Sequence, residues 1–476
     1  MGFRFQNSYQ TLDNCLFEYS QPKFFKQPHG LMCNASLAQS LQIDLSWLAS
    51  QQATRILCGN ETAEGSTPIH QAYAGHQFGN FAILGDGRAT LLGEHQHADG
   101  KIYDVQLKGS GRTPYSRSGD GQATLAALLK EYIYSEAMHA LSIPSTRSLA
   151  IVGTGEWVQR QKPQPGAVLT RIAASHLRIG TFQFAQLQDI QTLKELADYA
   201  IQRHDPELIG SPNCYLSFLE KMMDRSAQLV ALWMSVGFVH GVMNTDNISI
   251  AGETMDYGPC AFIDEYDLRS SYSFIDRQGR YAFGNQPHIM HWNLCRFAES
   301  LLPLINPDNP TAAIEDAQAL LKTFSDRYQM YWQSLFCQKI GFSEPNTAAI
   351  KLVHQLLDIM SAQGADFTKT FSDLTVGALD DHHFSDWQSQ WEKDLKDCHQ
   401  SIDQAKQLMS TVNPVVILRN HVLMPIIDEA EASGNLTPFI ELLQVILQPF
   451  SRSHHNHALA FPRPAGSAPT TTFCGT

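Results

Sequence analysis

The chain has 476 residues, of which 34 are Lys or Arg and 47 are Asp or Glu, so its formal net charge is −13. Hydrophobic residues make up 43% of the chain and charged residues 17%, a composition that excludes disorder over most of its length. An acidic chain also lacks the broad basic face that nucleic-acid binding requires, so we expect no nucleic-acid partner.

The cysteines and the apolar stretches limit the class of protein further. The nine cysteines are widely spaced and include no Cys-x-x-Cys pair, which excludes a disulfide framework and a classical zinc site. The longest apolar stretch, 229–243, is shorter than the roughly 20 residues of a membrane span, and the N-terminus resembles no targeting signal. We therefore expect reduced thiols, a cytoplasmic location and no membrane partner.

The first part of the chain alternates strand-like patterns with a single long helical pattern. Glycine-rich segments separate these patterns, as is typical of turns and loops. In chain order, the predicted elements are a helical segment at 35–48, strands within 73–107 with a tight turn at Gly85-Asp86-Gly87, a loop at 109–121, a helix at 123–141, and strands at 148–158 and 166–173.

The second part of the chain is mainly helical. Its predicted helices lie at 191–203, 213–236, 292–304, 312–337, 347–363 and 438–447. Segregation of strands and helices predicts an α+β fold with two lobes and a cleft between them. The predicted division is an N-terminal extension at 1–60 that packs on the lobes, a strand-rich N-lobe at 61–180, a helical C-lobe at 181–460, and a flexible C-terminal tail at 461–476.

The strongest chemical signal is the segment from His240 to Asn247, followed by Ile-Ser-Ile and then by Asp256 in Asp-Tyr-Gly. A polar loop, a short apolar strand and a second Asp before a turn offer oxygen ligands to a divalent ion that bridges nucleotide phosphates. Asn247 and Asp256 are the candidate ligands. Asp246 is the candidate acceptor of a proton from an attacking hydroxyl. A polar surface turn is the alternative interpretation of this segment taken alone.

A lysine and two glutamates suggest a phosphate-orienting pair. Lys108 ends a predicted strand, and the helix that follows carries Glu131 and Glu136. A strand lysine held by a helix carboxylate orients nucleotide phosphates in protein kinases. Solvated side chains are the alternative, and only the Asp and Asn residues downstream favour the functional interpretation.

Two glycine-rich segments and two arginines are further candidates for phosphate contact. Gly85, Gly87 and Arg88 form a turn through which backbone and guanidinium groups could approach a phosphate, and the 109–121 loop with Asp120 and Gly121 has the same ambiguity. The alternatives are an ordinary hairpin turn and a flexible loop.

Arg171 and Arg178 lie seven residues apart, so they share one face if the stretch between them is helical. The histidines at 382–383 and 454–457 could suggest a metal site, but adjacent histidines rarely chelate one ion and solvated groups are favoured. The chain contains no signature of a P-loop NTPase, a Rossmann domain or an α/β-hydrolase.

Taken together, these segments resemble the selenoprotein O (SelO) family of pseudokinase-fold protein adenylyltransferases. The resemblance is densest between residues 73 and 287. The motifs that carry it are YAGHQFGNF, LGDGR, DVQLKGSGRTPYSRSGDG, EYIYSEAMHALSIPSTRSL, LTRIAASHLRIGTFQ, FVHGVMNTDNISI, MDYGPCAFIDEYD and GRYAFGNQP.

The resemblance implies a kinase-like fold in which ATP binds turned around, so that the α-phosphate faces the acceptor. AMP is then transferred to a Ser, Thr or Tyr hydroxyl of a protein, and pyrophosphate leaves. A conventional protein kinase and an inactive nucleotide-binding scaffold remain as alternatives.

The resemblance also implies roles for individual residues. Asp246 is the proton acceptor, and Asn247 and Asp256 bind Mg²⁺ or Mn²⁺. The positions that match nucleotide contacts are Gly85, Gly87, Arg88, Lys108 with its partner Glu131, Asp120, Gly121, Arg171, Arg178 and Asp256. Cys474, near the C-terminus, lies where eukaryotic members of the family carry selenocysteine; a redox-sensitive thiol and an inert one are both compatible with the sequence.

Overall fold

The structure is a computed structural model that describes residues 2–464 and residue 466. Most of the predicted tail, including Cys474, therefore lies outside the described residues. Within the described part of the chain, no helix is both long enough and apolar enough to cross a membrane.

Ten strands of different lengths form one antiparallel sheet, and two short strands form a second sheet. The order along the main path of the large sheet is β2-β4-β6-β7-β10-β9-β3, with β1 paired to β6, β5 to β4 and β8 to β10. The strands are β1 (Phe5–Gln6), β2 (Phe17–Tyr19), β3 (His29–Cys33), β4 (Ile69–Gln77), β5 (Asn80–Gly85), β6 (Ala89–Gln96), β7 (Ile102–Lys108), β8 (Ala123–Thr124), β9 (Arg147–Gln159), β10 (Pro163–Ala173), β11 (Phe238–Val239) and β12 (Ala261–Phe262).

Helices follow the strands in sequence and dominate the chain after the large sheet. They are α1 (Ala35–Ser40), α2 (Leu45–Leu48), α3 (Gln51–Leu57), α4 (Leu125–Ala140), α5 (Ile179–Gln188), α6 (Ile190–His204), α7 (Cys214–Ser235), α8 (Gln286–Ile305), α9 (Pro310–Leu321), α10 (Phe324–Lys339), α11 (Thr347–Gln363), α12 (Phe367–Val376), α13 (Ser385–Asp397), α14 (Ile402–Val412), α15 (Asn420–Ser433) and α16 (Thr437–Ile446). This arrangement confirms the predicted α+β, two-lobed kinase-like fold class.

The large sheet is buried on both faces. Successive side chains of a strand point in opposite directions, so neighbouring residues pack into different cores. Ile151 and Leu169 pack into the core shared with α4 and the C-terminal helices. Their neighbours Val152 and Val168 pack into a second core with α1–α3. The N-terminal helices therefore cover one face of the sheet, and α4 covers the other.

Strand pairing brings two predicted site residues to the face covered by α4. Lys108 at the end of β7 lies opposite Leu169 of β10, and Arg171 lies opposite Gln106. In an antiparallel pair, opposed residues share a face, and so do residues two apart on one strand. Lys108 and Arg171 therefore project together towards α4, which begins at the cap residue Thr124 and carries Glu131 inward.

Several element predictions are correct and others are wrong. The predicted helix at 123–141 is α4, and the predicted strands at 148–158 and 166–173 are β9 and β10. The single helix predicted at 312–337 is two helices, α9 and α10, which are separated near Thr323. The short strand predicted after Asn247 is reduced to one isolated antiparallel bridge, in which Ser249 pairs with Arg178.

Candidate active site

Lys108 forms a buried ion pair with Glu131. The Lys108 Nζ lies 2.5 Å from the Glu131 Oε2, and both side chains are almost fully buried. The other glutamate of the helix, Glu136, instead holds Arg147 through two hydrogen bonds of 2.8 and 2.7 Å. The structure thus separates the two glutamates that the sequence left as candidates, and places only Glu131 beside the lysine.

Arg171 binds the same glutamate from the neighbouring strand. Its Nε donates to the Glu131 Oε1 at 3.0 Å and its Nη1 donates to the Gln106 Oε1 at 3.2 Å. Its Nη2 lies 2.7 Å from the Asp256 Oδ1. Arg171 therefore links the helix carboxylate to the carboxylate of the downstream loop.

Three cationic side chains contact the half-buried carboxylate of Asp256. Its carboxylate lies 3.0 Å from Lys108, 2.7 Å from Arg171 and 3.5 Å from Arg178. Burial by itself would raise the pKa of Asp256, but the charges of Arg171, Lys108 and Arg178 hold that pKa well below its usual range. The same balance lowers the pKa of Glu131, so both carboxylates are ionised.

The backbone around Asp256 is fixed from both sides. Asp256 itself has a φ of 61°, a left-handed conformation that Asp tolerates better than most residues. His240 donates from Nε2 to the carbonyl of Met255 at 2.9 Å, and Lys130 donates to the carbonyl of Gly258 at 2.7 Å. These contacts place the Asp256 carboxylate towards the sheet.

Arg171 and Arg178 do not lie on one helix face, because the stretch between them is not helical. Arg171 belongs to β10, whereas Arg178 immediately precedes α5. Both guanidinium groups nevertheless contact the carboxylate of Asp256. Arg178 also stacks 4.4 Å from the ring of Tyr73 and donates to the backbone carbonyl of Asp246 at 2.9 Å.

Asp246 is buried at the edge of this cluster. Its Oδ2 lies 3.4 Å from the Gln77 Nε2, while its Oδ1 has no hydrogen-bond partner. Burial raises the pKa of Asp246 to about 6, and Arg178 only partly opposes that increase. Gly75 of β4 permits this close approach, because a Cβ at that position would lie 2.3 Å from the Asp246 Oδ1.

Asn247 lies beside Asp246 in a turn of 3₁₀ helix, Thr245–Asn247. Its Nδ2 donates to the carbonyl of Val242 at 3.1 Å, which leaves the amide oxygen available as a ligand. Among the described residues, Asn247 and Asp256 make no direct contact with each other. The donor types, one ionised carboxylate and one amide oxygen, are those that Mg²⁺ and Mn²⁺ accept.

The predicted glycine-rich turn and the 109–121 loop contact each other. A Cβ on Gly85 would lie 2.3 Å from the ring of Tyr115, and the Gly87 carbonyl accepts a hydrogen bond from Ser116. The Arg88 carbonyl accepts from the backbone N–H of Gly109 at 2.7 Å. These contacts hold the glycine-rich turn against the loop.

Asp120 and Gly121 lie where the loop closes. The Asp120 carboxylate pairs with Arg160 at 2.8 Å, and the Gly121 carbonyl accepts from the backbone N–H of Gly111 at 3.1 Å. The structure therefore does not bring Asp120 into the ion-pair cluster at Asp256.

The sequence analysis missed Asp86 as a site residue. Its side chain is 1% exposed, its Oδ1 has no hydrogen-bond partner, and that oxygen lies 3.9 Å from Arg178. Burial raises the pKa of Asp86, although the charge of Arg178 opposes this. The only sequence signal was its position between Gly85 and Gly87, which also fits an exposed turn.

The group of three residues at 381–383, one aspartate and two histidines, lies on the surface. The possible ligand atoms of Asp381, His382 and His383 lie within 4.8 Å of one another, and all three residues are exposed. The His383 Nδ1 forms a hydrogen bond of 2.7 Å with the Asp381 Oδ1, which is typical of a solvated polar turn. This supports the interpretation of these residues as solvated groups.

Comparison with known proteins identifies relatives over the whole chain. Residues 1–447 match the family described as "Protein adenylyltransferase SelO". A protein of Clostridium perfringens named "Protein nucleotidyltransferase YdiU" is 48% identical over 482 residues, covering 100% of this chain and 98% of that protein. A protein of the same name from Geobacillus kaustophilus is 47% identical over 482 residues, covering 100% of this chain and 99% of that protein.

Proposed function

The chain belongs to the SelO family of protein adenylyltransferases, and we propose that the residues around Asp256 form its catalytic centre. The reaction transfers AMP from ATP to a Ser, Thr or Tyr hydroxyl of a protein and releases pyrophosphate. ATP and the acceptor protein are thus its substrates. Family membership disfavours the two alternatives, a conventional protein kinase and an inactive scaffold. A cytoplasmic location stays a prediction from the sequence.

The observation that carries this proposal is the convergence of three cationic side chains. Lys108, Arg171 and Arg178 all contact the carboxylate of Asp256, and each of the three cationic side chains is almost fully buried. Cationic donors in a low-dielectric interior attract a polyanion strongly. A triphosphate, and above all the pyrophosphate that leaves it, fits this environment.

We assign the proton transfer to Asp246. The oxygen of the acceptor hydroxyl attacks the α-phosphorus, and the bond between that phosphorus and the oxygen leading to the β-phosphate breaks. Pyrophosphate leaves with the electron pair, and the hydroxyl proton passes to Asp246. The Oδ2 of Asp246 supports this role, because its one hydrogen bond, to Gln77, is long at 3.4 Å.

Asn247 and Asp256 fit the predicted Mg²⁺ or Mn²⁺. The ionised carboxylate of Asp256 and the amide oxygen of Asn247 are hard donors, and each belongs to a loop that borders the cluster. A bound divalent ion would neutralise charge on the phosphate at which attack occurs. The oxygens of Asp256 also contact Lys108, Arg171 and Arg178.

The turned orientation of ATP is also a proposal. Lys108 and Arg171 lie deep between the sheet and α4, so a triphosphate tail that reaches them points inward. The α-phosphate then lies nearer to Asp246 than the γ-phosphate does. Gly85, Gly87, Arg88, Asp120 and Gly121 remain proposed nucleotide contacts.

Labelled ATP tests this function directly. The protein is incubated with a candidate substrate and with ATP labelled on the α-phosphate or, separately, on the γ-phosphate. We expect the label to enter protein only from the α-position, and we expect Asp256→Ala to abolish labelling. Transfer of the γ-label alone would indicate a kinase, and equal labelling by wild type and Asp256→Ala would rule out the proposed centre.

A further inference from the structure

A surface beside the Asp246 loop combines aromatic rings with cationic side chains. We call it the arginine–tryptophan patch, and its members are His76, Phe81, Arg280, Trp292 and Arg296. Trp292 of α8 lies at its centre, with the guanidinium carbons of Arg280 and Arg296 at 4.8 and 5.3 Å from the ring. His76 packs edge-on against the same ring at 5.3 Å, and Phe81 packs against His76 at 5.0 Å.

The patch is connected to Asp246 through two short routes. On one side, the backbone N–H of His76 donates to the Thr245 Oγ1 at 2.7 Å. On the other side, Tyr281, the residue after Arg280, donates from its hydroxyl to the Asn244 Oδ1 at 2.6 Å. The patch therefore borders the loop that carries Asp246.

The positive charge of Arg280 has no carboxylate partner among the described residues. Its Nε is buried without a hydrogen bond, and its side chain is otherwise held by ring contacts. The nearby Asp276 forms no ion pair with the guanidinium group; its two oxygens accept the backbone N–H groups of Arg280 at 2.9 Å and Tyr281 at 2.7 Å. Arg296, by contrast, is already paired with Glu299 at 2.6 Å.

We propose that Arg280 and the rest of the patch bind an acidic segment of the protein substrate next to the acceptor hydroxyl. A cation that is half-buried, without a carboxylate partner and held against an aromatic ring can pair with a carboxylate at little entropic cost. Phe81, whose ring is 45% exposed, adds apolar contact area. This inference rests on the proposed function, because it assigns the substrate of the same site.

The net charge of the chain limits where an acidic segment can bind. A net charge of −13 repels acidic segments in general, so such a segment is attracted only where local cationic side chains outweigh this repulsion. The preference is electrostatic and should therefore weaken as ionic strength rises.

Peptide kinetics test the proposal. Two synthetic peptides carry the same acceptor tyrosine, flanked by glutamates in one and by glutamines in the other. With the wild-type enzyme we expect KM to be roughly fivefold lower for the acidic peptide, in keeping with one charge-assisted contact. Arg280→Gln should remove this difference, Arg280→Lys should keep part of it, and neither should change the KM for ATP or kcat at saturating peptide.

A matched control is Arg277→Gln, which removes the same charge from an exposed position in the same segment. It should leave the preference for the acidic peptide unchanged. The inference is overturned if wild type shows no preference, if Arg277→Gln has the same effect as Arg280→Gln, or if Arg280→Gln lowers kcat for both peptides equally. Absence of AMP on either peptide, with no pyrophosphate released, would refute the proposed function itself and this inference with it.

Discussion

Asp256 shows how a single residue can organise a site. Its left-handed backbone turns the carboxylate away from its own loop and into contact with Lys108, Arg171 and Arg178. Asp246 differs, because it lies outside this network and keeps one oxygen unpartnered. We therefore propose different tasks for two aspartates that lie ten residues apart: Asp256 holds charge in place, and Asp246 accepts a proton.

Asp246→Asn tests that division at the residue scale. The amide keeps the shape of the side chain but cannot accept the proton, so we expect turnover to fall at least roughly 100-fold. ATP affinity should stay within about twofold, because the cationic cluster is unchanged. Turnover is measured by release of pyrophosphate and affinity by titration calorimetry. A large loss of ATP binding would contradict the role of Asp246 as the base.

At the scale of elements, the β4–β5 hairpin covers the Asp246 loop. The backbone N–H of Phe78, at the tip of the hairpin, donates to the Asn244 Oδ1 at 3.1 Å. Gly75 of β4 passes so close to Asp246 that a side chain has no room. The hairpin and the loop therefore fix the position of the Asp246 carboxylate together.

Gly75→Ala should disturb this contact. Gly75 does not have a positive φ, so an alanine meets no backbone strain there, and its effect comes from the added methyl group alone. Such overpacking costs about 1–3 kcal/mol, and we expect a lower melting temperature and at least a tenfold loss of turnover.

The matched control for this variant is Gly30→Ala on β3. There, the added carbon has its nearest neighbour at 3.7 Å, an ordinary contact, and Gly30 also lacks a positive φ. Gly30→Ala should leave turnover unchanged. Wild-type turnover in Gly75→Ala would show that the hairpin does not constrain Asp246.

Local patterns predicted many of the elements but not their contacts. The helical periodicity at 123–141 and the turn at Gly85-Asp86-Gly87 depend on neighbouring residues, so they were visible in the sequence. Six helices, α3, α5 and α12 to α15, were not predicted. The Asp366 cap of α12 and the Ser401–Gln404 capping box of α14 were signals that could have found two of them.

The convergence of the site could not be predicted from spacing. Lys108, Glu131, Arg171, Arg178 and Asp256 meet only because β7 pairs with β10, α4 packs on the sheet and a distant loop returns to it. These site residues were predicted as a set only through the resemblance to a known family. The sequence gives no local reason for Asp120 to pair with Arg160, or for Asp86 to be buried.

At the scale of the whole molecule, a second buried ion pair joins the sheet to the helical part. Asp104 of β7 lies 2.6 Å from the Arg203 side chain of α6, and it accepts the backbone N–H of His176 at 2.7 Å. Burial alone would raise the pKa of Asp104, but Arg203 and His176 hold it at about 2. Asp104 lies two residues along β7 from Gln106, the partner of Arg171, and therefore on the same face of the strand.

Asp104→Asn should therefore destabilise the fold. It leaves the Arg203 guanidinium buried without its carboxylate, which costs about 3–5 kcal/mol in the free energy of unfolding. Urea unfolding measures this cost. Asp198→Asn is the control, because it breaks an exposed ion pair with Lys194 on the same helix and should cost less than about 1 kcal/mol.

The pH dependence gives a second check on this pair. A carboxyl whose pKa is lowered by folding stabilises the protein above its unfolded pKa, and that stability is lost as pH falls through the folded pKa. The difference between wild type and Asp104→Asn should thus be constant above about pH 4 and shrink as pH falls towards 2. A difference that grew on acidification would contradict an ionised Asp104.

The central claim is that the cationic cluster holds the triphosphate tail and leaves the α-phosphate for attack. A crystal structure with a non-hydrolysable ATP analogue and Mg²⁺ tests it most directly. We predict that the β- and γ-phosphates contact Lys108, Arg171 and Arg178, with the α-phosphorus the phosphorus closest to Asp246. An analogue bound with its γ-phosphorus beside Asp246 and its adenine in the usual kinase position would contradict the account.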